Sequence, residues 1–259
     1  MLRRFLATLL ASVVLIAASL AASATAAFAA ATYYSAGAGQ NVSDSVVFAN
    51  FGVAAPTLAT GDYHALAEVV VKGGASGNDM VAIGWTVDRS LNGDSDPHLF
   101  VYWWKNGVAQ CYNTACAGYT AYPGATYTAG QKLTTGTFQR LGIQYSGGAW
   151  WFWVGTTAGV GGWIGYINDS NWTTAWPTFS TVQVFGQVVS DVASPTTQMG
   201  NGYCSDSTSA LTIGSVTYTT SSTVNLAAFA TDSTKYSATM LSARTLRYGG
   251  DGSCPLPPN

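Results

Sequence analysis

Short runs of alternating or continuous apolar residues follow one another along the chain, separated by glycine, asparagine, aspartate and proline. Runs of this length bounded by turn residues are typical of β-strands. No segment has the sustained apolar stripe and the caps at both ends that predict a helix. The pattern therefore predicts an all-β fold, either an antiparallel sandwich or a barrel, in a single domain. The predicted strands are 63–72, 80–88, 98–105, 138–145, 149–154, 162–167, 181–190, 210–218 and 237–247.

Two consecutive predicted strands, 63–72 and 80–88, can be placed in register from their alternation. Odd positions in both runs are apolar, which predicts that this face packs against the core. A turn centred on residue 75 then places Glu68 directly opposite Ala82. Both lie on the less apolar face, together with His64, Lys72, Thr86 and Asp88.

The first residues have the pattern of an export signal. Arg3 and Arg4 precede an apolar run, and Ala27-Phe28-Ala29 fits a cleavage site. We therefore expect a signal peptide at 1–29, a Ser/Ala/Gly-rich lead at 30–60 and one domain at 61–259. The apolar run is short and rich in alanine, so it favours a secreted, extracellular protein without membrane contact after cleavage. A retained membrane anchor is the alternative interpretation.

Four cysteines in an exported chain predict disulfides. The loop between Cys111 and Cys116 is so short that these two most naturally pair, which leaves Cys204 for Cys254. The second bridge would fasten the C-terminal tail. A zinc site is the alternative, but the spacings do not form paired knuckles.

Charge is scarce, and this scarcity excludes several functions. Only 8% of the residues are charged and the formal net charge is -2, against about a quarter charged in an ordinary soluble domain. Without a cluster of basic residues there is little to bind a phosphate backbone, so we expect no nucleic-acid partner. Glu68 is the sole glutamate of the chain, which leaves few groups for acid/base chemistry. We expect neither a cofactor nor a metal.

A set of motifs in a fixed order resembles the neprosin domain, a family of secreted glutamic peptidases. The segments Ile83 to Val87, Leu91 to Asp94 and His98 to Trp103 look like the GWxVxxxLxGD…LFxYW block of that domain. Further matches are the Cys111-Tyr112-Asn113…Cys116 loop, the Trp150-Trp151 strand, the Gly165-Tyr166 turn and the segment from Pro195 to Gly202.

The resemblance implies an antiparallel sandwich of two packed sheets and an endopeptidase that acts at acid pH, typically after proline. It also implies two disulfides like those above. The family uses two glutamates, one in E-x-G-W and one in W-G-G-E-V, which share a proton so that one activates water while the other protonates the leaving group. In this chain the corresponding positions are Ala82 and Gln187. Alanine carries no proton and glutamine does not titrate.

Three hypotheses follow for the function of the cleft near Glu68, Ala82 and Gln187. In the first, the chain is a pseudoenzyme that still binds peptides, including proline-rich ones. In the second, Glu68 is the general acid/base and Gln187 is its polar partner, a Glu/Gln chemistry that separate fungal glutamic peptidases also use. In the third, the chain is a non-catalytic carbohydrate or cell-wall binding module. The aromatic residues predicted to contact the ligand are Trp85, Tyr102 and Trp103.

Overall fold

The structure is a computed structural model, and it describes residues 31–219 and 222–255. From Thr32 onward the chain forms one compact unit that is built almost entirely of strands. The predicted signal peptide at 1–29 lies outside the described residues. The strands are β1 (Thr32–Asp44), β2 (Val46–Gly52), β3 (His64–Gly73), β4 (Asp79–Val87), β5 (His98–Lys105), β6 (Val108–Tyr112), β7 (Tyr119–Ala121), β8 (Phe138–Ser146), β9 (Ala149–Gly155), β10 (Gly161–Asn168), β11 (Phe179–Ser190), β12 (Leu211–Thr217), β13 (Ala227–Ala230), β14 (Ser237–Ser242) and β15 (Thr245–Gly249).

Two antiparallel sheets pack face to face, which confirms the predicted sandwich. The seven-stranded sheet has the order β13-β1-β11-β3-β4-β5-β6, and the eight-stranded sheet has the order β14-β15-β12-β2-β8-β9-β10-β7. Each sheet ends in edge strands, so neither closes into a barrel. One helical turn, α1 (Arg89–Asn92), follows β4, and a 3-10 turn (Asp169–Asn171) follows β10.

The core lies between the two sheets and follows the period-2 alternation of the strands. On β3 and β4 the odd positions face inward, as predicted, and their side chains are buried. The eight-stranded sheet contributes Leu141, Ile143, Trp150 and Phe152 to the same core. The even positions of β3 and β4 therefore lie on the outer face of the seven-stranded sheet.

The predicted register of the first hairpin was wrong by two residues. Glu68 lies opposite Gly84, and Ala82 lies opposite Val70. Residues Gly74 and Gly77 have positive φ angles, and the amide of Gly77 donates to the carbonyl of Gly74. The turn is therefore centred one residue later than expected, and each residue of β3 faces a partner two positions further along β4.

The segment that was expected to be a lead, 30–60, contributes one strand to each sheet. β1 pairs with β11 and β13, and β2 pairs with β8 and β12. The sequence also failed to predict the short strands β6, β7 and β13. The predicted strand 237–247 is a hairpin of β14 and β15. The unpredicted strands β6, β7 and β13 have too few residues to show a clear alternation of apolar and polar positions.

Both predicted disulfides are present, Cys111–Cys116 and Cys204–Cys254. The second joins residues 50 apart, and it fastens the C-terminal segment after β15. Within the described residues, no helix has the length and apolar character needed to cross a membrane.

Candidate functional site

A cleft of about 480 Å³ opens on the outer face of the seven-stranded sheet. All the polar residues that alternation placed on the even face of β3 and β4 line it. They arrive there because successive side chains of a strand point to opposite faces, so every second residue faces the cleft. These residues are His64, Glu68, Lys72, Thr86 and Asp88.

Aromatic rings form the wall of the cleft. On β5, Phe100, Tyr102 and Trp104 face outward in alternation, and the rings of Tyr102 and Trp104 lie with their centroids 4.4 Å apart. Tyr112 on β6 stacks on Phe100 at 6.1 Å with an interplanar angle of 14°. Phe185 lines the cleft from β11. The wall is therefore largely apolar, which suits ring-shaped or aliphatic ligand groups.

Glu68 occupies the floor of this cleft. It lies on β3 between Gly84 on one neighbouring strand and Phe185 on the other. A Cβ atom at position 84 would lie 2.2 Å from the carbonyl oxygen of Ala67 and 2.8 Å from the Cβ of Glu68. Glycine at position 84 therefore makes room for Glu68 and its strand.

The carboxyl group of Glu68 is buried among apolar side chains. Burial raises its pKa to about 8, although the charge of Lys72 acts in the opposite direction. The carboxyl lines the open cleft, and among the described residues no side chain forms an ion pair with it. At acid and neutral pH the group is thus a neutral acid with an O–H donor free to bind a ligand.

Ala82 and Gln187, the positions that the resemblance assigns to the family dyad, share a face but are not neighbours. Ala82 pairs with Val70 of β3, whereas Gln187 pairs with Leu66 of the same strand. Four residues along a strand span about 13 Å. Glu68 lies midway between them, on the strand that separates β4 from β11. Ala82 itself is fully buried and packs with Val70 and Phe185.

Gln187 lies at the end of the cleft beside His64 and Asp88. Its amide nitrogen donates to the hydroxyl of Ser35 at 3.2 Å. Burial lowers the pKa of His64, while Asp88 and a hydrogen bond with Gln187 raise it. The Nδ1 atom of His64 lies 3.9 Å from a carboxylate oxygen of Asp88. The other oxygen of Asp88 caps α1 by accepting from the amides of residues 90 and 91. These polar groups are therefore partly engaged within the protein.

Two of the three predicted contact residues do not face the cleft. Trp85 and Trp103 occupy odd positions, so both are buried between the sheets. The indole nitrogen of Trp85 donates to the carbonyl of Gly52 at 2.9 Å, and the ring of Trp103 packs on Trp172. Tyr102 does line the cleft. The expectation for the two tryptophans was wrong because it ignored the alternation that had already placed the odd face in the core.

The sequence analysis did not predict several of the residues that line the cleft. Two of them could have been predicted from the position of Tyr102. Phe100 and Trp104 share its face because they are two residues away along β5. Tyr112 and Phe185 come from other strands, and only the pairing of those strands brings them to the cleft. No local sequence pattern carries that information.

Solved structures that resemble this chain include peptidases. Scytalido-glutamic peptidase with a transition state analog inhibitor aligns with 85% of this chain and 99% of its own at 12% identity and a TM-score of 0.51. A second structure of that peptidase, with a peptide-based transition state analog, has 10% identity over the same shares and a TM-score of 0.47. SCP-B, a member of the Eqolisin family of peptidases in complex with the tripeptide Ala-Ile-His, also covers 85% and 99% at 10% identity and a TM-score of 0.44.

At these identities the likeness concerns the fold alone, and the first of the three structures shows that this chain shares the two-sheet sandwich fold of scytalido-glutamic peptidase. The family is shown by the sequence itself. The Neprosin family model matches residues 62–251, which is most of the chain, so this protein belongs to the Neprosin family. The matched range contains Ala82, Gln187 and every residue that lines the cleft except Tyr33.

Proposed function

We propose that this protein binds extended, proline-rich peptides in the cleft of the seven-stranded sheet, and that it binds them in the form in which Glu68 is protonated. The observation that carries this proposal is the carboxyl of Glu68, which lines the cleft, is surrounded by protein, and has no hydrogen-bond partner among the described residues. Buried polar groups are normally satisfied, so an unpaired one in a cleft is a candidate ligand contact.

The chemistry of the cleft suits a peptide with few N–H groups. The neutral acid of Glu68 and the ammonium of Lys72 donate hydrogen bonds, and so does the phenol of Tyr102, whose pKa is raised by burial. A proline-rich segment offers carbonyl acceptors but lacks the N–H at each proline. Its rings would pack on the aromatic wall of β5 and β6, in the manner of other aromatic-lined grooves that bind such peptides.

Ionisation of Glu68 would weaken this binding. A carboxylate has no donor, and it would place a negative charge opposite the carbonyl oxygens of the peptide. The pKa of about 8 therefore predicts that affinity is steady at acid and neutral pH and falls as the pH rises through 8. Secretion, which the predicted signal peptide implies, would bring the protein into contact with extracellular peptides.

Fluorescence polarisation of a labelled proline-rich peptide between pH 4 and pH 9 tests the proposal. We expect the wild type to lose affinity above about pH 8, and we expect Glu68→Gln to keep its affinity across the range because an amide donates without titrating. Tyr203 is an exposed aromatic residue outside the cleft, so Tyr203→Ala is the control, and its pH profile of affinity should match that of the wild type. Absence of binding, or the same pH profile in wild type and Glu68→Gln, would contradict the proposal.

A second candidate function is peptide hydrolysis by Glu68 and Gln187. The observation in its favour is that these two side chains lie on adjacent strands and on one face, as diagonal neighbours. Such positions are about 7–8 Å apart at the backbone, within reach of long side chains. The Glu68 carboxylate would take a proton from water as the oxygen attacks the carbonyl carbon. The amide of Gln187 would stabilise the oxyanion, and Glu68 would then protonate the leaving nitrogen as the C–N bond breaks.

Hydrolysis and binding would have opposite pH dependence. A general base must be ionised, so cleavage by Glu68 should rise about tenfold per pH unit towards pH 8, whereas binding should fall there. Mass spectrometry of a proline-rich protein incubated between pH 4 and pH 9 separates the two. Fragments that disappear in Glu68→Gln support hydrolysis. Fragments that persist in this variant reject the role of Glu68. If the substrate stays intact at every pH, hydrolysis is rejected and only the binding function remains.

A further inference from the structure

A second set of aromatic residues lies on the opposite side of the molecule, on the outer face of the eight-stranded sheet. We call it the outer aromatic surface. None of its members lines the cleft of the seven-stranded sheet. It consists of Phe48, Tyr122, Trp151, Trp153, Trp163 and Tyr166.

The alternation of β9 and its pairing with β10 assemble this surface. Trp150 and Phe152 point into the core, so Trp151 and Trp153 point outward. In the adjacent strand Tyr166 lies opposite Trp151, and Trp163 lies opposite Trp153. A bulge between residues 163 and 165 keeps both of these rings on the outer face although they are three residues apart.

Glycines beneath the rings bring them close to the sheet. A Cβ atom at Gly142 would lie 2.2 Å from the ring of Phe48, and one at Gly155 would lie 2.3 Å from the ring of Trp153. The rings therefore occupy the space above these positions. The side chain of Arg140 lies over Phe48 at 5.2 Å and is held by Asn50, so this charge is engaged at the border of the surface.

Trp151 and Trp163 line a hollow of about 360 Å³ on this surface. The indole nitrogen of Trp151 donates to the carbonyl of Ser146 at 3.0 Å, which fixes the orientation of that ring. The ring centroids of Trp151 and Trp163 are 6.2 Å apart at an angle of 71°, so one ring forms a floor and the other a wall. Tyr122, which is 48% exposed, also lines the hollow.

Half-buried tryptophans on the solvent face of a sheet indicate binding rather than folding. The core is complete without them, because the inward residues of β9 are already fully buried. Contiguous exposed apolar surfaces with a polar border mark interaction sites in soluble proteins. The polar border of this hollow is formed by Gln144 and Ser146.

The lining of the hollow determines the chemical class of ligand. Of the described residues that line it, none is acidic or basic, so it has no charge to recognise a charged ligand. Gln144 and Ser146 both donate and accept hydrogen bonds. Sugar hydroxyls also donate and accept, and the C–H faces of sugar rings pack on aromatic rings. A proline-rich peptide would leave the acceptors of Gln144 and Ser146 unpaired, which carries a free-energy cost.

We propose that the outer aromatic surface is a binding site for a neutral carbohydrate chain, with a sugar ring in the hollow that Trp151 and Trp163 line. The site is separate from the peptide cleft and does not depend on the function proposed for it. A protein with both sites would hold a glycan on one sheet and a peptide on the other, which would concentrate the protein on glycosylated or polysaccharide-rich surfaces.

Affinity electrophoresis of the purified chain in native gels tests the proposal. The gels contain soluble xylan, mannan, β-glucan or hydroxyethyl cellulose as neutral probes, with polygalacturonate as an anionic probe. We expect at least one neutral polysaccharide to retard the wild type and polygalacturonate to have no effect. Trp163→Ala should weaken the apparent affinity about tenfold or more, a typical loss when one stacking ring is removed. Tyr203→Ala is an exposed aromatic residue outside both sites, and it should migrate as the wild type does.

Gln144→Leu keeps the volume of the side chain and removes its hydrogen-bonding groups, so it tests the site even if Trp163→Ala fails to fold. It should also reduce retardation. The proposal is overturned if none of the neutral probes retards the wild type, or if retardation is unchanged in the folded variants. It is also overturned if oligoproline rather than a sugar oligomer competes for the surface. These outcomes do not depend on the pH profile that tests the peptide cleft.

Discussion

Glu68 is the residue on which the account of the cleft depends. Its identity was predictable as the sole glutamate of the chain, and alternation placed it on the polar face of the first hairpin. Its burial was not predictable, because neighbouring strands supply the apolar groups around it. Phe185 arrives from β11, more than a hundred residues later in the chain. The raised pKa is thus a consequence of tertiary packing.

The buried carboxyl should make stability depend on pH. The pKa of Glu68 is about 8 in the folded chain, against 4.5 in the unfolded chain. Below pH 4.5 both states are protonated, and between the two values the unfolded state releases a proton that the folded state retains. Stability should therefore fall as the pH rises through this window, by up to about 1.4 kcal/mol per pH unit from this group.

Glu68→Gln removes this dependence, so urea denaturation at several pH values should show a flatter profile for the variant. It should also be more stable than the wild type at pH 8. Parallel profiles for the two proteins would show that Glu68 titrates in the folded state as it does in solvent.

At the scale of the strand, period-2 alternation explains most of what the sequence predicted. The strand positions and the inward face of β3 and β4 followed from it. The register of the hairpin did not, because turn geometry decides it and a shift of two residues keeps the same faces. The expectation that Trp85 and Trp103 contact the ligand was wrong because both occupy odd-numbered positions, which face the core.

Adjacent residues of β5 should give opposite phenotypes. Tyr102→Ala removes a cleft side chain, so we expect peptide affinity to fall about tenfold with little change in stability. Trp103→Ala leaves a cavity between the sheets and should cost about 3–5 kcal/mol of unfolding free energy. Thermal denaturation and peptide binding of both variants check this. Equal losses of stability in the two variants would argue against the assigned faces.

Gly84 tests the close approach of β3 and β4 beneath the cleft. In Gly84→Ala the new Cβ would meet the backbone of Ala67 and the side chain of Glu68. We expect this variant to lose about 1–3 kcal/mol of stability. Gly162→Ala on β10 is the matched control, because its Cβ would meet nothing within 4 Å. Chemical denaturation of both proteins gives the comparison, and similar stabilities would mean that the strands are not in close contact at Gly84.

At the scale of the molecule, the sandwich and both disulfides were predictable, whereas the contribution of the first strands was not. Composition suggested a lead at 30–60, but β1 lies inside the seven-stranded sheet, between β11 and β13. Small residues such as Gly37 are needed there, because a Cβ at that position would lie 2.2 Å from the Cβ of Phe185. The many small residues of segment 30–60 therefore reflect the close packing of its strands.

The two disulfides should differ in their effect on stability. Loop closure entropy predicts about 4 kcal/mol for a bridge across 50 residues and about 2 kcal/mol for one across 5. Replacing Cys204 and Cys254 by alanine should therefore lower the unfolding free energy more than replacing Cys111 and Cys116. Denaturation of the two double variants measures the difference. A larger loss from the short bridge would show that it has a local role beyond closing its loop.

The most direct test of the central claim is the pKa of Glu68 itself, with and without peptide. Because the chain contains one glutamate, labelling with glutamate enriched in ¹³C at the carboxyl carbon gives a single resonance for it. We expect this resonance to titrate near pH 8 in the free protein. A proline-rich peptide should move the titration to higher pH because it binds the neutral acid. Titration near 4.5, unchanged by the peptide, would contradict the central claim.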